Sequence, residues 1–519
     1  MRRFLILGLL AAGCSRPSHV PGPSPLPPAA RNPQPLAALP ERLRIIATND
    51  FHGALDPRPD DNDRMRGGAA NVAAYIRQAE HECRQPDCVT ILVDGGDEFQ
   101  GTPASNFVFG RSVVDIFNYL GYSAAALGNH EFDWGQDTLR ARMRDARYPI
   151  LGANVRMKAT GRDTPWIPND TIIQRGPFKI GIIGLATIET PATAWGPSVA
   201  DLDFVDAVPV IDSIAPALRA RGANFVIVVG HIPARCTADG CTGEAIDIAQ
   251  RMTAKVDAVI SGHSHTRVDT DVKGIPLVQA RSRGQAIEVV DLYTTGQAPH
   301  HEVREVYADS VAADADVATL VKNAKDFLAK TAPYIDKPVA TIAATMRNSG
   351  NQHALGNLVA DAMRIVGGGD VAVMNSGGVR QSLFAGVATY STLFEVQPFN
   401  NKLVRVRVTG QNLLTYFAQA VARGAPNFHV SGARLVYHGG PTPGLDSLLV
   451  QGRPVQPQTV YTVVLNDFSA NGGDRLGFGS MAISTAPANI ADLDALIAYL
   501  SSLPQPVTPP VGERVIRRP

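Results

Sequence analysis

Apolar residues recur along this chain in short, almost unbroken runs, each ending at glycine and then at residues that can bind a cation. Residues 43–48 lead to Asp50 and His52, residues 89–93 to Gly95-Gly96-Asp97, and residues 123–127 to Gly128-Asn129-His130-Glu131-Phe132-Asp133. Farther on, residues 225–229 lead to Gly230-His231, and residues 256–260 to Gly262-His263-Ser264-His265. Runs of this length read as strands buried on both faces, the pattern of a parallel sheet. Between them lie stretches with helical spacing, such as 69–80 and 210–221. The alternation predicts an α/β domain whose loops collect at the carboxyl ends of its strands. One more run, 178–185, reads as a buried strand with no ligand at its end.

The chemistry concentrates at those strand ends. Asn129 offers a neutral carbonyl oxygen and His130 an imidazole. Asp133, three residues on, can accept the other ring N–H and fix the tautomer. In Asp50-x-His52 and His263-x-His265 the two ligands are two residues apart, so an extended backbone would point them the same way. A single Asp or His at a strand end is commonly a helix cap or a solvent-facing tip. Five such sets in one domain point instead to a metal centre.

These motifs resemble the calcineurin-like metallophosphoesterases, and more narrowly the two-domain 5'-nucleotidase family, which includes bacterial UDP-sugar hydrolases and ecto-5'-nucleotidases. The resemblance covers nearly all of the chain after residue 40. It implies a two-sheet α/β-sandwich domain, residues 41–305, joined by a linker with a helix, residues 306–335, to a smaller α+β substrate-binding domain, residues 336–519. It also implies two divalent metal ions. Asp50, His52, Asp97 and His265 would hold one, and Asp97, Asn129, His231 and His263 the other, with Asp97 bridging. Imidazole, carboxylate and amide ligands suit Zn, Mn, Co or Fe without choosing between them. Water activated by the pair would attack phosphorus, with His130 stabilising the developing charge and Asp133 orienting it.

In the second half, Val317, Leu320, Val321, Ala324, Phe327 and Leu328 have helical spacing within residues 314–334, as a linker helix requires. Three later stretches match substrate-contact motifs of the family: 375–380, 427–432 and 467–474. The resemblance assigns Phe428 and Phe468 to stack on a nucleoside base, Asp474 to the ribose hydroxyls, and Arg380 and Arg423 to the phosphate. Three departures fall here: Ser376 interrupts a glycine run, the Phe428 loop is one residue short, and Arg475-Leu476 follow Asp474. Gln352 stands where relatives commonly have Glu.

The remaining features concern location and partners. Residues 1–13 read as a signal peptide: Arg2-Arg3, a short apolar core and small residues before Cys14, too short to span a bilayer. Cys14 resembles a lipidation site, and the Pro-rich residues 14–40 resemble an extended tether. That combination implies an exported, periplasmic or cell-surface lipoprotein, touching the membrane only through its lipid. The other cysteines form two close pairs, Cys83/Cys88 and Cys236/Cys241. A four-thiolate zinc site is one reading, but in an exported chain two local disulfides are the expectation.

Basic and acidic residues balance at 48 each. Nothing in that balance favours polymeric nucleic acid, so a small-molecule nucleotide is the expected partner. The leading functional expectation is therefore hydrolysis of 5'-nucleotides to nucleoside and phosphate. UDP-sugar pyrophosphatase, 2',3'-cyclic nucleotide phosphodiesterase and thiosulfohydrolase activities are alternatives within the same chemistry. A non-catalytic nucleotide-binding lipoprotein is the alternative outside it.

Overall fold

In the computed structural model the residues described are 41–83, 87–424 and 426–518. The signal, Cys14 and the tether expected over residues 1–40 lie outside them.

The chain opens into a first sheet with β1 (Arg42–Thr48), β2 (Cys88–Asp94), β3 (Ala124–Ala126) and β4 (Ile150–Leu151). It then builds a second with β5 (Asp170–Arg175), β6 (Phe178–Ala186), β7 (Phe225–His231), β8 (Ala258–Ile260), β9 (Arg267–Val272) and β10 (Ile275–Ala280). Strands β11 (Ala286–Tyr293) and β12 (His300–Glu305) return to the first sheet. The spatial orders are β12-β11-β1-β2-β3-β4 and β9-β10-β8-β7-β6-β5. Strands β1 to β4 run parallel to one another, as do β6, β7, β8 and β10.

The near-continuous apolar composition of these strands follows from burial on both faces. Between the sheets, Ile45, Ile91 and Ala126 meet Ile182, Ile227 and Ile260 in one core. Outside the first sheet pack α1 (Ala69–Glu82) and α2 (Arg111–Leu120), through Val72, Ile76, Val113 and Phe117. Outside the second pack α3 (Ala207–Ala220) and α4 (Glu244–Arg251), through Ile211, Leu218 and Ile248. This is the expected two-sheet sandwich.

The linker helix α5 (Ala315–Thr331) starts where Asp314 caps it, its carboxylate accepting from Asp316 N and Val317 N. Val317 and Val321 join the core of the first domain, while Leu328 packs in a small cluster with Ala332 and Ile335. The second half contains α6 (Ala354–Gly367), α7 (Tyr390–Val396) and α8 (Gly410–Ala422). Its main sheet is formed by β13 (Val371–Asn375), β14 (Lys402–Thr409), β15 (Phe428–Ser431), β16 (Val460–Asn466) and β17 (Ser484–Ala491), in the order β15-β13-β16-β14-β17.

Cys83–Cys88 and Cys236–Cys241 are both disulfide-bonded, which removes the four-thiolate zinc reading. The second bond joins two residues paired directly across a small hairpin beside the site described next. Among the described residues, no helix is long and apolar enough to cross a membrane.

Candidate active site

The parallel strands of both sheets end at one edge, and their loops meet there. Backbone hydrogen bonds zip the β1 loop to the β2 loop: Asp50 N donates to Gly96 O at 2.8 Å and His52 N to Asp97 O at 3.0 Å. Glu131, fully buried, accepts from the backbone N–H of Asp97 (3.0 Å), Glu98 (2.8 Å) and Gly128 (2.8 Å), fixing the β3 loop against the β2 loop. The approach is close enough that a Cβ on Gly128 would stand 2.2 Å from Asp97 Oδ1. Only glycine fits there.

The Asp50-x-His52 and His263-x-His265 segments are not extended. Asp50, His52, Asp97, His263 and His265 all have positive φ, between 50° and 73°. A left-handed residue is uncommon for a side chain with a Cβ, and five in one centre mark a backbone held in place by its surroundings. The tight turns bring the side chains inward where an extended strand would splay them along its length.

Two clusters of ligand atoms result. Asp50, His52 and His265 form the first, with His52 Nε2 3.0 Å from His265 Nε2 and His265 Nε2 3.1 Å from Asp50 Oδ1. Asp97, His231 and His263 form the second. There, His231 Nε2 lies 3.1 Å from Asp97 Oδ2, from Asn129 Oδ1 and from His263 Nδ1. Asp97 Oδ2 is also 3.9 Å from His52 Nε2, so it faces both clusters.

The ligand tautomers are set from behind. His52 Nδ1 bonds to Gln100 O at 2.9 Å and His231 Nδ1 to Gly95 O at 3.0 Å, leaving each Nε2 lone pair facing its cluster. The electrostatics agree with a cation-binding role. Burial works against a charged His231, but Asp97 and Asp50 outweigh it and raise its pKa to about 10. That pull is local to His231: burial and then Arg380 hold His52 well below its usual range, and burial, against Asp50, brings His265 to about 4, so both are neutral and free to ligate. Imidazole nitrogens and carboxylate and amide oxygens, without thiolate, make a donor set that fits two divalent ions.

His130 stands beside the clusters, its Nδ1 2.8 Å from Asp133 Oδ2 and its backbone N–H bonded to Asp97 Oδ1 at 2.9 Å. The second half of the chain faces it across a cavity of about 780 Å³. Phe399 lays its ring against the His130 ring, 5.3 Å between centroids, and the Arg380 guanidinium lies 5.6 Å from the centre of the Phe399 ring. Arg380 Nη2 reaches to 3.0 Å from His52 Nε2. Phe468 lines the cavity, flush against Gly473, where a Cβ would come within 2.5 Å of the ring. Asp474 also lines it and accepts from Asn375 Nδ2 at 2.8 Å.

Two expected substrate residues lie elsewhere. Phe428 is 2% exposed and packs in the core with Phe417, 5.8 Å between ring centroids. Strand β15 begins at this residue, so the alternation of side chains sends Phe428 inward and leaves Asn427 on the cavity wall. Arg423 ends α8 outside the cavity and donates to Arg475 O at 3.0 Å.

Sequence reasoning also overlooked residues that the fold brings in. The loop after β6 does reach the site: Glu189 lines the cavity with Oε2 3.7 Å from His263 Nε2, and Thr193 O accepts from Asn129 Nδ2 at 3.2 Å. The strand-end rule that found the other ligands would have found Glu189. Phe399, in the loop between α7 and β14, carried no comparable signal.

Two family models match the chain: calcineurin-like phosphoesterase over residues 43–267 and 5'-nucleotidase, C-terminal domain, over residues 334–482. Endonuclease YhcR of Bacillus subtilis is 28% identical over 498 residues, covering 90% of this chain and 40% of that protein. The chain thus spans less than half of that relative. A snake venom 5'-nucleotidase from Naja atra is 28% identical over 523 residues, covering 88% of this chain and 94% of the relative. Among solved structures, a 5'-nucleotidase precursor from Thermus thermophilus superposes with a TM-score of 0.80 at 25% identity, over 92% of this chain and 99% of that one.

Proposed function

This chain belongs to the 5'-nucleotidase family of metal-dependent phosphoester hydrolases, and from that premise we propose that it hydrolyses 5'-nucleotides to nucleoside and inorganic phosphate outside the cytoplasm. The observation that carries the reading is a pair of ligand clusters facing Arg380, Phe468 and Asp474 across one cavity. Asp50, His52, Asp97 and His265 would hold one divalent ion, and Asp97, Asn129, His231 and His263 the other. Such a pair supplies Lewis acidity toward phosphoryl oxygens and makes water a usable nucleophile at neutral pH.

The protein's own groups do the rest. Arg380 presents a planar fork of donors to the phosphate. Burial opposes a charged His130, but Asp133 and Asp97 outweigh it and raise its pKa, so as an imidazolium it gives one N–H to Asp133 and turns the other toward the phosphoryl group, where negative charge grows as the ester bond breaks. Phe468 gives a base one face to stack on, and Asp474 accepts from ribose hydroxyls. With Phe428 in the core and Asn427 at the wall, the base rests on a single phenylalanine from these two motifs, with a side-chain amide in reach of a polar edge. Export is supported by the two disulfides, which persist in oxidising compartments. The boundaries 41–305, 306–335 and 336–519 remain our division of the chain, with residues 1–13 as signal peptide and Cys14 as the lipidated residue of a tether running to residue 40.

Phosphate release by the purified chain loaded with Mn or Zn, offered 5'-AMP, UDP-glucose, 2',3'-cyclic AMP, single-stranded DNA and phenyl phosphate, tests this. A strong preference for 5'-AMP is expected. Equal, slow cleavage of every phosphate ester would leave the metal centre standing and overturn the nucleotide assignment.

A further inference from the structure

A second, smaller cavity of about 110 Å³ lies beside His52, where the first domain, the linker helix and the second domain meet. Its walls carry several charges, and all but two are paired. Arg58 forks onto Glu395, with Nε 2.9 Å from Oε2, and Lys325 pairs with Asp56 at 3.0 Å. Asp336 is exposed at the rim, where water screens it. Arg283, partly exposed on the cavity wall, is the exception. It stands at positive φ, 57°, anchored by its backbone N–H to Asp50 O at 2.6 Å, and among the described residues its guanidinium has one partner, the Arg380 carbonyl.

Among the described residues its guanidinium has no carboxylate bonded to it, and Arg58 in the same wall and Arg380 behind it add to the positive charge there. Two neutral donors face the same space: the Gln381 amide and the Ser391 hydroxyl, whose Nε2 and Oγ have no acceptor among the described residues. A cavity of this volume has room for one small ion together with water.

We propose that this cavity is a binding site for a tetrahedral oxyanion, held by the Arg283 guanidinium with the Gln381 amide and the Ser391 hydroxyl. It is distinct from the phosphate position facing the metal ligands, because the two cavities have no lining residue in common. Its lining comes from both domains and the linker, so an anion here ties the three together in the arrangement described. Inorganic phosphate is the natural probe, and sulfate, of the same shape, should compete for the site.

The test is calorimetric titration of inorganic phosphate into the full, zinc-loaded chain. Two sites per chain are expected in the unaltered protein. Arg283→Leu should leave one, and Arg283→Lys should retain the second with about 10- to 100-fold weaker binding, the loss expected for a charge-assisted hydrogen bond. A single site in the unaltered protein, or two undiminished sites in Arg283→Leu, would overturn the proposal. Should Arg283→Leu fail to melt cooperatively, Gln381→Leu/Ser391→Ala decides. Weakening of the second site several-fold supports the assignment, and unchanged binding overturns it.

Discussion

Two phenylalanines with one expected role provide the sharpest test of the site, because the structure separates their consequences. Phe428 is buried among Phe417, Val371 and Val463, so Phe428→Ala removes a fully enclosed ring from the core of the second domain. Such truncations cost about 3–5 kcal/mol. In a domain of this size each kcal/mol is worth about 2–4 °C, so the melting temperature should fall by about 6–20 °C. Phe468→Ala removes a half-buried ring on the cavity wall, beside Gly473. Its cost should fall on substrate: about 1–3 kcal/mol of stacking, or about 5- to 150-fold in kcat/KM for 5'-AMP relative to phenyl phosphate. The assay is that ratio for both variants, below their melting transitions, alongside thermal melts. Loss of nucleotide preference in Phe428→Ala with an unchanged melting temperature would refute the placement of both rings.

The other expectations concern the metal centre and one buried acid. Asp133→Asn should lower kcat by about 10- to 100-fold while metal content stays unchanged, because it disturbs the 2.8 Å contact that orients His130. Chelation should abolish activity yet leave far-UV circular dichroism intact, since Glu131 and the zipped backbone hold the loops without ions. Reloading should release a proton at neutral pH, because His231 rests at about 10 in the metal-free chain and must be neutral to ligate; metal affinity should therefore rise with pH. Asp492, buried at the start of the last helix, is raised to about 8 by burial, so the folded state keeps a proton that the unfolded state gives up near pH 4. Its contribution to stability is full below pH 4 and falls by about 1.4 kcal/mol per unit as pH rises to about 8; Asp492→Asn should flatten that slope in denaturant titrations.

The first domain was legible because its signal is local. An apolar run, a glycine and a ligand lie within ten residues of one another, and the parallel sheet then converts many local statements into one site. The linker helix was legible for the same reason, its cap at Asp314 and its apolar spacing being contiguous. The second domain was read less well because its site depends on register. A one-residue step along a strand exchanges its two faces, and here Phe428 falls on the core side while Asn427 lines the cavity. Arg283 and Phe399 could not have been read at all. Each matters through a neighbour about a hundred or more residues away, Arg380 for one and His130 for the other.

The contacts between the domains divide by chemistry, and that division describes a hinge. Near the linker they are apolar: Leu328, Ala332 and Ile335 pack with Phe107 and Tyr390, and the Phe107 and Phe394 rings lie 6.0 Å apart. Others are polar: Arg347 bonds to Asp60 O and Asp63 at 2.9 Å, and, close to the apolar cluster, Asn106 Nδ2 bonds to Pro398 O at 3.2 Å and Arg58 to Glu395. Contacts of the second kind are worth about 0.5–1.5 kcal/mol each and are readily exchanged for water. Apolar contacts near a pivot persist through a rotation, whereas polar ones can break and re-form in every turnover. Arg58→Ala/Arg347→Ala should therefore increase the radius of gyration in small-angle scattering without lowering the melting temperature by more than a few degrees. Leu328→Ala should do the reverse, costing about 2–5 kcal/mol of stability. If the double variant scatters as the unaltered chain does, the polar contacts are not what holds the domains together, and the pivot alone sets their arrangement.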